Sequence, residues 1–120
     1  WGAVQLQNHF EENTGRHMQS RDYAAWAAVR AIGEAVTRTN SADPATLRAF
    51  ILSEAFQLDG FKGRGLTFRH WNGQMRQPIA VANARALVAM APVDGFLHQR
   101  NETDSLGLDE PQSQCTAFQE

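Results

Sequence analysis

The apolar residues of this chain change their spacing near residue 60. Before that point they recur at intervals of three and four residues, which is the period of an amphipathic helix. After it they fall into short runs bounded by glycine, proline and asparagine, which is typical of strands. The change predicts a mixed α/β segment in which three helices are followed by a β-hairpin and a third strand.

We expect the helices at about residues 3–14, 20–39 and 43–53. Ser20 offers a side-chain oxygen to the free amides of the second helix, and Asp43-Pro44 is a strong start signal for the third. The second helix has a wide, alanine-rich apolar face, which suits packing against both a sheet and a neighbouring helix.

We expect the strands at about residues 66–70, 76–82 and 86–91. Asn72-Gly73 lies between the first two and can supply the positive φ values of a tight hairpin turn. The stretch from Asn83 to Arg85 then turns the chain into the third strand. The hairpin is the strongest local prediction in the second half.

At 120 residues, the chain is long enough for one core and too short for two ordinary domains. Residues 1–91 are predicted to form a partial α/β lobe. From 92 to 120 apolar residues become sparse, and an irregular, surface-wrapping or partly disordered carboxy-terminal tail is expected. The acidic tail residues Asp104, Asp109 and Glu110 lack the pattern of a calcium loop and are predicted to be solvated charges.

Charge and motif spacing restrict the function. The formal net charge is -2 with both signs scattered, which predicts no nucleic-acid partner, and the longest uncharged apolar run is too short for membrane insertion. The four histidines form no closely spaced ligand pairs, and no nucleophile motif is present. We therefore predict a protein that acts by binding, without catalytic residues, metal or cofactor.

Two tryptophans are the candidate binding residues. Trp1 precedes the first helix and Trp71 lies at the predicted hairpin tip, where an indole has no evident need to fill the core. Each is predicted to line a ligand or partner surface; the alternative is ordinary packing against sequence outside this chain. Cys115 is the only cysteine, so it is either a free thiol or the partner of a cysteine in absent sequence or another chain.

Several motifs follow one another along the chain: Phe10-x-x-x-Thr14-Gly15-Arg16, the helix from Tyr23 to Val36, the segment from Ser41 to Phe50, the hairpin from Phe61 to Arg69, the run from Trp71 to Pro78, and Gly95-Phe96-Leu97-His98-Gln99. Their order resembles the carboxy-terminal third of type I periplasmic solute-binding proteins, the branched-chain amino-acid receptor class. The stretches Phe61 to Ile79 and Gly95 to Cys115 are more narrowly similar to the subgroup associated with pyrroloquinoline-quinone-dependent alcohol oxidation systems.

The resemblance implies a periplasmic, bilobed protein whose two α/β lobes close on a small solute and which serves an ABC importer. This chain would supply the end of the second lobe, with Trp1 near the solute cleft. The implied partners are a small-molecule solute, the remainder of the same protein or a second chain, and an ABC permease. The alternative is a periplasmic protein-interaction or accessory module linked to an alcohol dehydrogenase system.

Overall fold

The computed structural model describes residues 2–118 and is a mixed α/β structure. Within that range it has three α-helices, five short strands and two 3₁₀ helices. The α-helices are α1 (Gly2–Thr14), α2 (Ser20–Thr39) and α3 (Pro44–Ile51); the strands are β1 (Leu58–Asp59), β2 (Gly65–Phe68), β3 (Met75–Arg76), β4 (Ile79–Ala82) and β5 (Leu87–Ala91); the 3₁₀ helices are Glu102–Ser105 and Glu110–Gln112.

The helices lie close to their predicted positions, with two corrections at their ends. The N-cap of α2 is Gln19 rather than Ser20, and the Gln19 N–H donates to the Asp22 carboxylate at 2.9 Å. Asp43 caps α3 as expected, accepting from the Thr46 N–H at 2.8 Å. The predicted helix 43–53 ends earlier, at Ile51, because the N–H and the hydroxyl of Ser53 both donate to the Phe50 carbonyl.

The Asp22 carboxylate in the first turn of α2 has a strongly lowered pKa. The Arg16 guanidinium and the Gln19 N–H both donate to the Asp22 carboxylate and lower the pKa of Asp22 to about 2. Because the folded-state pKa is depressed, this contribution to stability is present above the ordinary value of 3.8 and is lost as the pH falls towards 2. Carbon-detected NMR should give an Asp22 titration midpoint near 2, and Arg16→Ala should raise it. A wild-type midpoint near 3.8 would contradict the contact.

The hairpin predicted around Trp71 is present as β2 and β3. Thr67 pairs with Arg76 and Phe68 with Met75, and the Arg69 N–H donates to the Gln74 carbonyl at 2.8 Å to close the loop. Gly73 has φ 68°, in the left-handed region that the turn requires.

The predicted strand 76–82 does not exist as one element. It divides into β3 and β4, which belong to different sheets, because Pro78 has no amide to donate and interrupts the ladder. The predicted strand 86–91 is β5, and it pairs with β4 alone, from Ile79 with Ala91 to Ala82 with Leu87. A further strand, β1, was not predicted and pairs with β2 on the edge opposite β3.

The core lies between α2 and the three-stranded sheet β1-β2-β3. Ala27 and Ala31 present small side chains that allow Phe56, Leu58 and Leu66 to approach closely. Tyr23 is packed at the edge of this cluster and its hydroxyl donates to the Gly60 carbonyl at 2.7 Å, which fixes the loop before β2.

Two apolar surfaces remain uncovered. One is the stripe of α2 on the side away from the core, and the other is the β4–β5 hairpin, whose contacts are mainly between its own two strands. The exposed large apolar side chains on these two surfaces are Val29, Ile32, Val36, Ile79, Val81, Leu87, Val88 and Met90. The Cα radius of gyration is 15.9 Å, which is larger than the value of about 13.6 Å for a compact domain of this length. The chain is therefore less compact than such a domain, as uncovered surfaces require.

Candidate functional site

A cleft of about 480 Å³ lies between the β2–β3 hairpin, the end of α3 and the tail segment 98–111. This volume is in the range of small-molecule sites, about 300–1,000 Å³. Its lining is rich in charged and aromatic groups, which include His70, Trp71, Arg76, His98, Arg100 and Asp104. The tail therefore forms one wall of the cleft and is attached to the hairpin.

The attachment is centred on Arg69, which is 1% exposed. Its Nε donates to Asp104 Oδ1 at 2.9 Å, and its Nη1 donates to Gln74 Oε1 at 2.8 Å and to the Leu108 carbonyl at 3.2 Å. Its Nη2 donates to the carbonyls of Thr103 and Leu106 at 3.2 and 2.9 Å. All five N–H donors of this buried guanidinium are thus used, four of them towards the tail.

Arg76 is the second cation of the cluster. Its Nε donates to the same Asp104 Oδ1 at 2.8 Å, and its Nη1 donates to the Phe68 carbonyl at 2.9 Å. The prediction that Asp104 is a solvated tail charge is therefore wrong: the carboxylate is buried and is bonded to two guanidinium groups. Burial of a carboxylate is tolerated here because each partner supplies a charge-assisted hydrogen bond.

Trp71 lies beside both arginines in the wall of the cleft. The guanidinium carbons of Arg69 and Arg76 are 5.3 and 5.2 Å from the centre of its ring, within cation–π range. The residue is 7% exposed, and its indole Nε1 is buried without a hydrogen-bond partner. A buried indole N–H normally finds an acceptor.

The rim of the cleft carries two histidine–carboxylate pairs. His70 Nε2 is 3.1 Å from Glu110 Oε1, and His98 Nε2 is 3.3 Å from Asp109 Oδ2. The Glu110 N–H donates to the Asp109 carboxylate at 2.7 Å and, with a smaller effect from His98, lowers the pKa of Asp109. Arg100 approaches Glu110 more loosely, at 3.6 Å. Both carboxylates are engaged by neighbouring groups of this chain.

The predicted site residues have different positions relative to this cleft. Trp1 lies outside the described residues. Trp71 lines the cleft, although it is buried rather than displayed at the hairpin tip. Cys115 is half-buried and forms no disulfide within residues 2–118.

In the range 2–118, no group of three histidine, cysteine or acidic side chains is placed to hold a metal ion. None of the helices in the same range combines the length and the apolar character needed to cross a membrane.

Sequence reasoning missed Arg69, Arg76 and the tail residues that bind them. Arginine side chains in a short hairpin usually point to solvent, and the acceptors in the tail are 28 to 39 residues away along the chain. The one available signal was the position of both arginines next to a tight turn that contains Trp71. Comparison with known proteins gives no match among family models, curated proteins or solved structures.

Proposed function

We propose that this chain is a solute-binding, non-catalytic segment of a periplasmic ABC-importer receptor, and that the cleft beside Trp71 contacts the solute. The observation that carries the proposal is a cleft of about 480 Å³ lined by Trp71, whose buried indole Nε1 has no hydrogen-bond partner among residues 2–118. An orphan donor beside a cavity of ligand size is explained when a bound molecule supplies the acceptor.

The uncovered apolar surfaces support the larger receptor. A helix that is apolar on two sides belongs between two layers, and strands apolar on both faces are typical of sheets covered on both sides by helices. The α2 stripe and the β4–β5 hairpin have these properties. The proposed cover is the remainder of an α/β lobe, from the same protein or a second chain, with the permease as a further partner of the whole receptor.

A thermal-shift screen of polar solutes tests the proposal. A solute at a concentration of one hundred times its Kd should stabilise the folded chain by about 2.7 kcal/mol. Trp71→Phe keeps an aromatic ring but removes the N–H, and it should weaken binding by about tenfold. Trp26→Phe is the matched control, because Trp26 packs beside Tyr23 on α2 and does not line the cleft. A hit that binds the Trp71→Phe variant as well as the wild type would contradict the proposed site.

The second candidate function is a periplasmic protein-interaction or accessory module linked to an alcohol dehydrogenase system. The exposed apolar β4–β5 hairpin is the observation that favours it, because large uncovered apolar surfaces mark interaction sites. Intact-mass and native mass spectrometry, with and without reductant, separates the two functions. A second chain that completes the α/β lobe would favour the receptor, whereas a stable complex with a protein that supplies no such lobe, formed in the absence of any bound solute, would favour the interaction module.

A further inference from the structure

A second pocket, of about 440 Å³, lies between α2, α3 and the turn of the β2–β3 hairpin. Most of the side chains that these elements contribute to it are apolar: Ile32, Pro44, Leu47, Ile51, Leu52 and Phe68. Among its lining residues, all of which lie within 2–118, Arg48 is the one charged group. Only Leu52 and Phe68 also line the cleft beside Trp71. The pocket is therefore a separate site, and its lining favours an apolar group.

The tail supplies an aromatic ring to this pocket. Phe118 is one of the lining residues, and its ring lies so close to Gly73 that a Cβ on residue 73 would overlap it. The guanidinium carbon of Arg48 is 5.5 Å from the centre of the Phe118 ring, within cation–π range. The position beside Gly73 thus admits a flat ring, and Arg48 adds an attraction that an aliphatic group does not experience.

The ring of Phe118 is held there by a short, irregular tether. The Arg69 contacts hold the tail as far as Leu108, and residues 113–118 form no helix or strand. Phe118 is half-buried and is not part of the core cluster beneath α2. A tethered group occupies its site at a high effective concentration. This ring can nevertheless leave the pocket without disturbing the core.

We propose that this pocket is a second binding site, for a small apolar molecule with one aromatic ring, and that Phe118 is its intramolecular competitor. The chemical class follows from the occupant, because the position beside Gly73 already holds a phenyl ring of the chain itself. The apolar space beside that ring extends to Ile32, which is 52% exposed, and its volume is in the range of small-molecule sites.

A bound aromatic molecule releases Phe118, and with it the end of the described tail. The apparent affinity for the molecule is reduced by the fraction of the chain in which Phe118 occupies the site. Removal of the Phe118 ring should therefore strengthen binding rather than weaken it. This sign distinguishes a competitor from a residue that only forms a wall of the pocket.

The isoleucine methyl signals measure binding at the pocket. Isoleucine occurs only at positions 32, 51 and 79, and the first two line the pocket, whereas Ile79 lies on β4. Benzyl alcohol should shift the Ile32 and Ile51 signals in a saturable way and leave the Ile79 signal in place. Cyclohexylmethanol, which has the same carbon skeleton with a saturated ring, should bind about threefold more weakly, the size of an exposed cation–π contact.

Phe118→Ala should bind benzyl alcohol about tenfold more tightly than the wild type, the factor for a competitor that fills the site roughly nine-tenths of the time. Phe96→Ala is the matched control, because it removes an exposed ring of the same tail that does not line the pocket. Trp71→Phe alters only the cleft. Both variants should bind benzyl alcohol as the wild type does, and an unchanged Ile79 signal shows that Phe118→Ala is folded.

Displacement is observed directly in the wild-type chain labelled with 4-fluorophenylalanine. The ¹⁹F spectrum contains seven phenylalanine signals, and Phe118→Ala identifies the one from Phe118. Saturating benzyl alcohol should move that signal towards the position of the free amino acid. A Phe118 signal that keeps its position, or equal or weaker binding by Phe118→Ala, overturns the competitor role.

The remaining outcomes test the site and the ligand class. Binding of cyclohexylmethanol as tight as that of benzyl alcohol overturns the aromatic class. Loss of benzyl alcohol binding in Trp71→Phe assigns the molecule to the cleft and overturns the second site. The solute screen described above uses the cleft and Trp71, so its failure leaves this inference in place, and failure of this inference leaves the proposed function in place.

Discussion

Replacement of Arg69 by methionine should lower the free energy of unfolding by about 3–5 kcal/mol, the cost of removing one partner from a buried ion pair. The substitution keeps much of the side-chain length but leaves Asp104 with Arg76 alone and removes one donor each from the Thr103, Leu106 and Leu108 carbonyls. Urea unfolding followed by circular dichroism measures the loss. The tail should also become more sensitive to proteolysis near Leu106.

Arg64→Met is the matched control for this prediction. Arg64 also joins the β1–β2 region to the tail, through Glu102, but both members of that pair are about half exposed. Exposed ion pairs contribute about 1 kcal/mol or less. If the Arg69 and Arg64 variants lost similar amounts of stability, the buried cluster would not be the anchor of the tail.

Phe56→Ala should lower the free energy of unfolding by about 3–5 kcal/mol, the range for a buried phenylalanine. Phe56 is 0% exposed and its ring contacts the rings of Phe50 and Phe68, so it joins α3 to the hairpin that carries the cleft. The cavity left by the substitution cannot be filled by the alanines of α2, which are already at close approach.

Phe96→Ala provides the comparison, because Phe96 is 71% exposed. A surface substitution of this kind should change stability by no more than about 0.5 kcal/mol. Urea titrations of both variants at one protein concentration measure the difference. A loss in Phe96→Ala as large as that in Phe56→Ala would mean that the tail, rather than the α2–sheet interface, holds the main core.

The helices could be predicted from the sequence because their signals are local. Apolar spacing and the Asp43-Pro44 start place α1, α2 and the beginning of α3 within one residue of the observed bounds. The N-cap of α2 was misassigned because Ser20 is a better intrinsic cap than glutamine. The position of the N-cap is decided by the Asp22 carboxylate, which accepts a hydrogen bond from the Gln19 N–H.

The strands were harder because their pairing depends on distant residues. The turn at Gly73 predicted the β2–β3 hairpin, but Pro78, which precedes the apolar run from Ile79 to Ala82, was placed inside a single predicted strand, 76–82. The missed strand β1 had a usable signal: Phe56, Leu58 and Gly60 are buried and alternate with polar, exposed residues. At two residues, it was too short for the pattern to be distinguished from a loop.

The candidate site was the least predictable part. Trp71 was predicted to line a ligand or partner surface because of its place at the hairpin turn. It lies in the wall of the cleft, and its role in binding stays a prediction. Its surroundings are set by the long-range contacts of Arg69 and Arg76 with Asp104, which no local pattern encodes. The tail has few apolar residues and was expected to be irregular, surface-wrapping or partly disordered. Buried hydrogen bonds to Arg69, rather than hydrophobic burial, attach it to the hairpin.

Equilibrium dialysis against a mixed pool of small polar solutes, with the retained compounds identified by mass spectrometry, tests the central claim most directly. The chain should retain at least one solute, the Trp26→Phe variant should retain the same compound, and the Trp71→Phe variant should retain much less. Retention of no solute by the wild-type chain, or equal retention by the Trp71→Phe variant, would contradict a solute-binding role for the cleft.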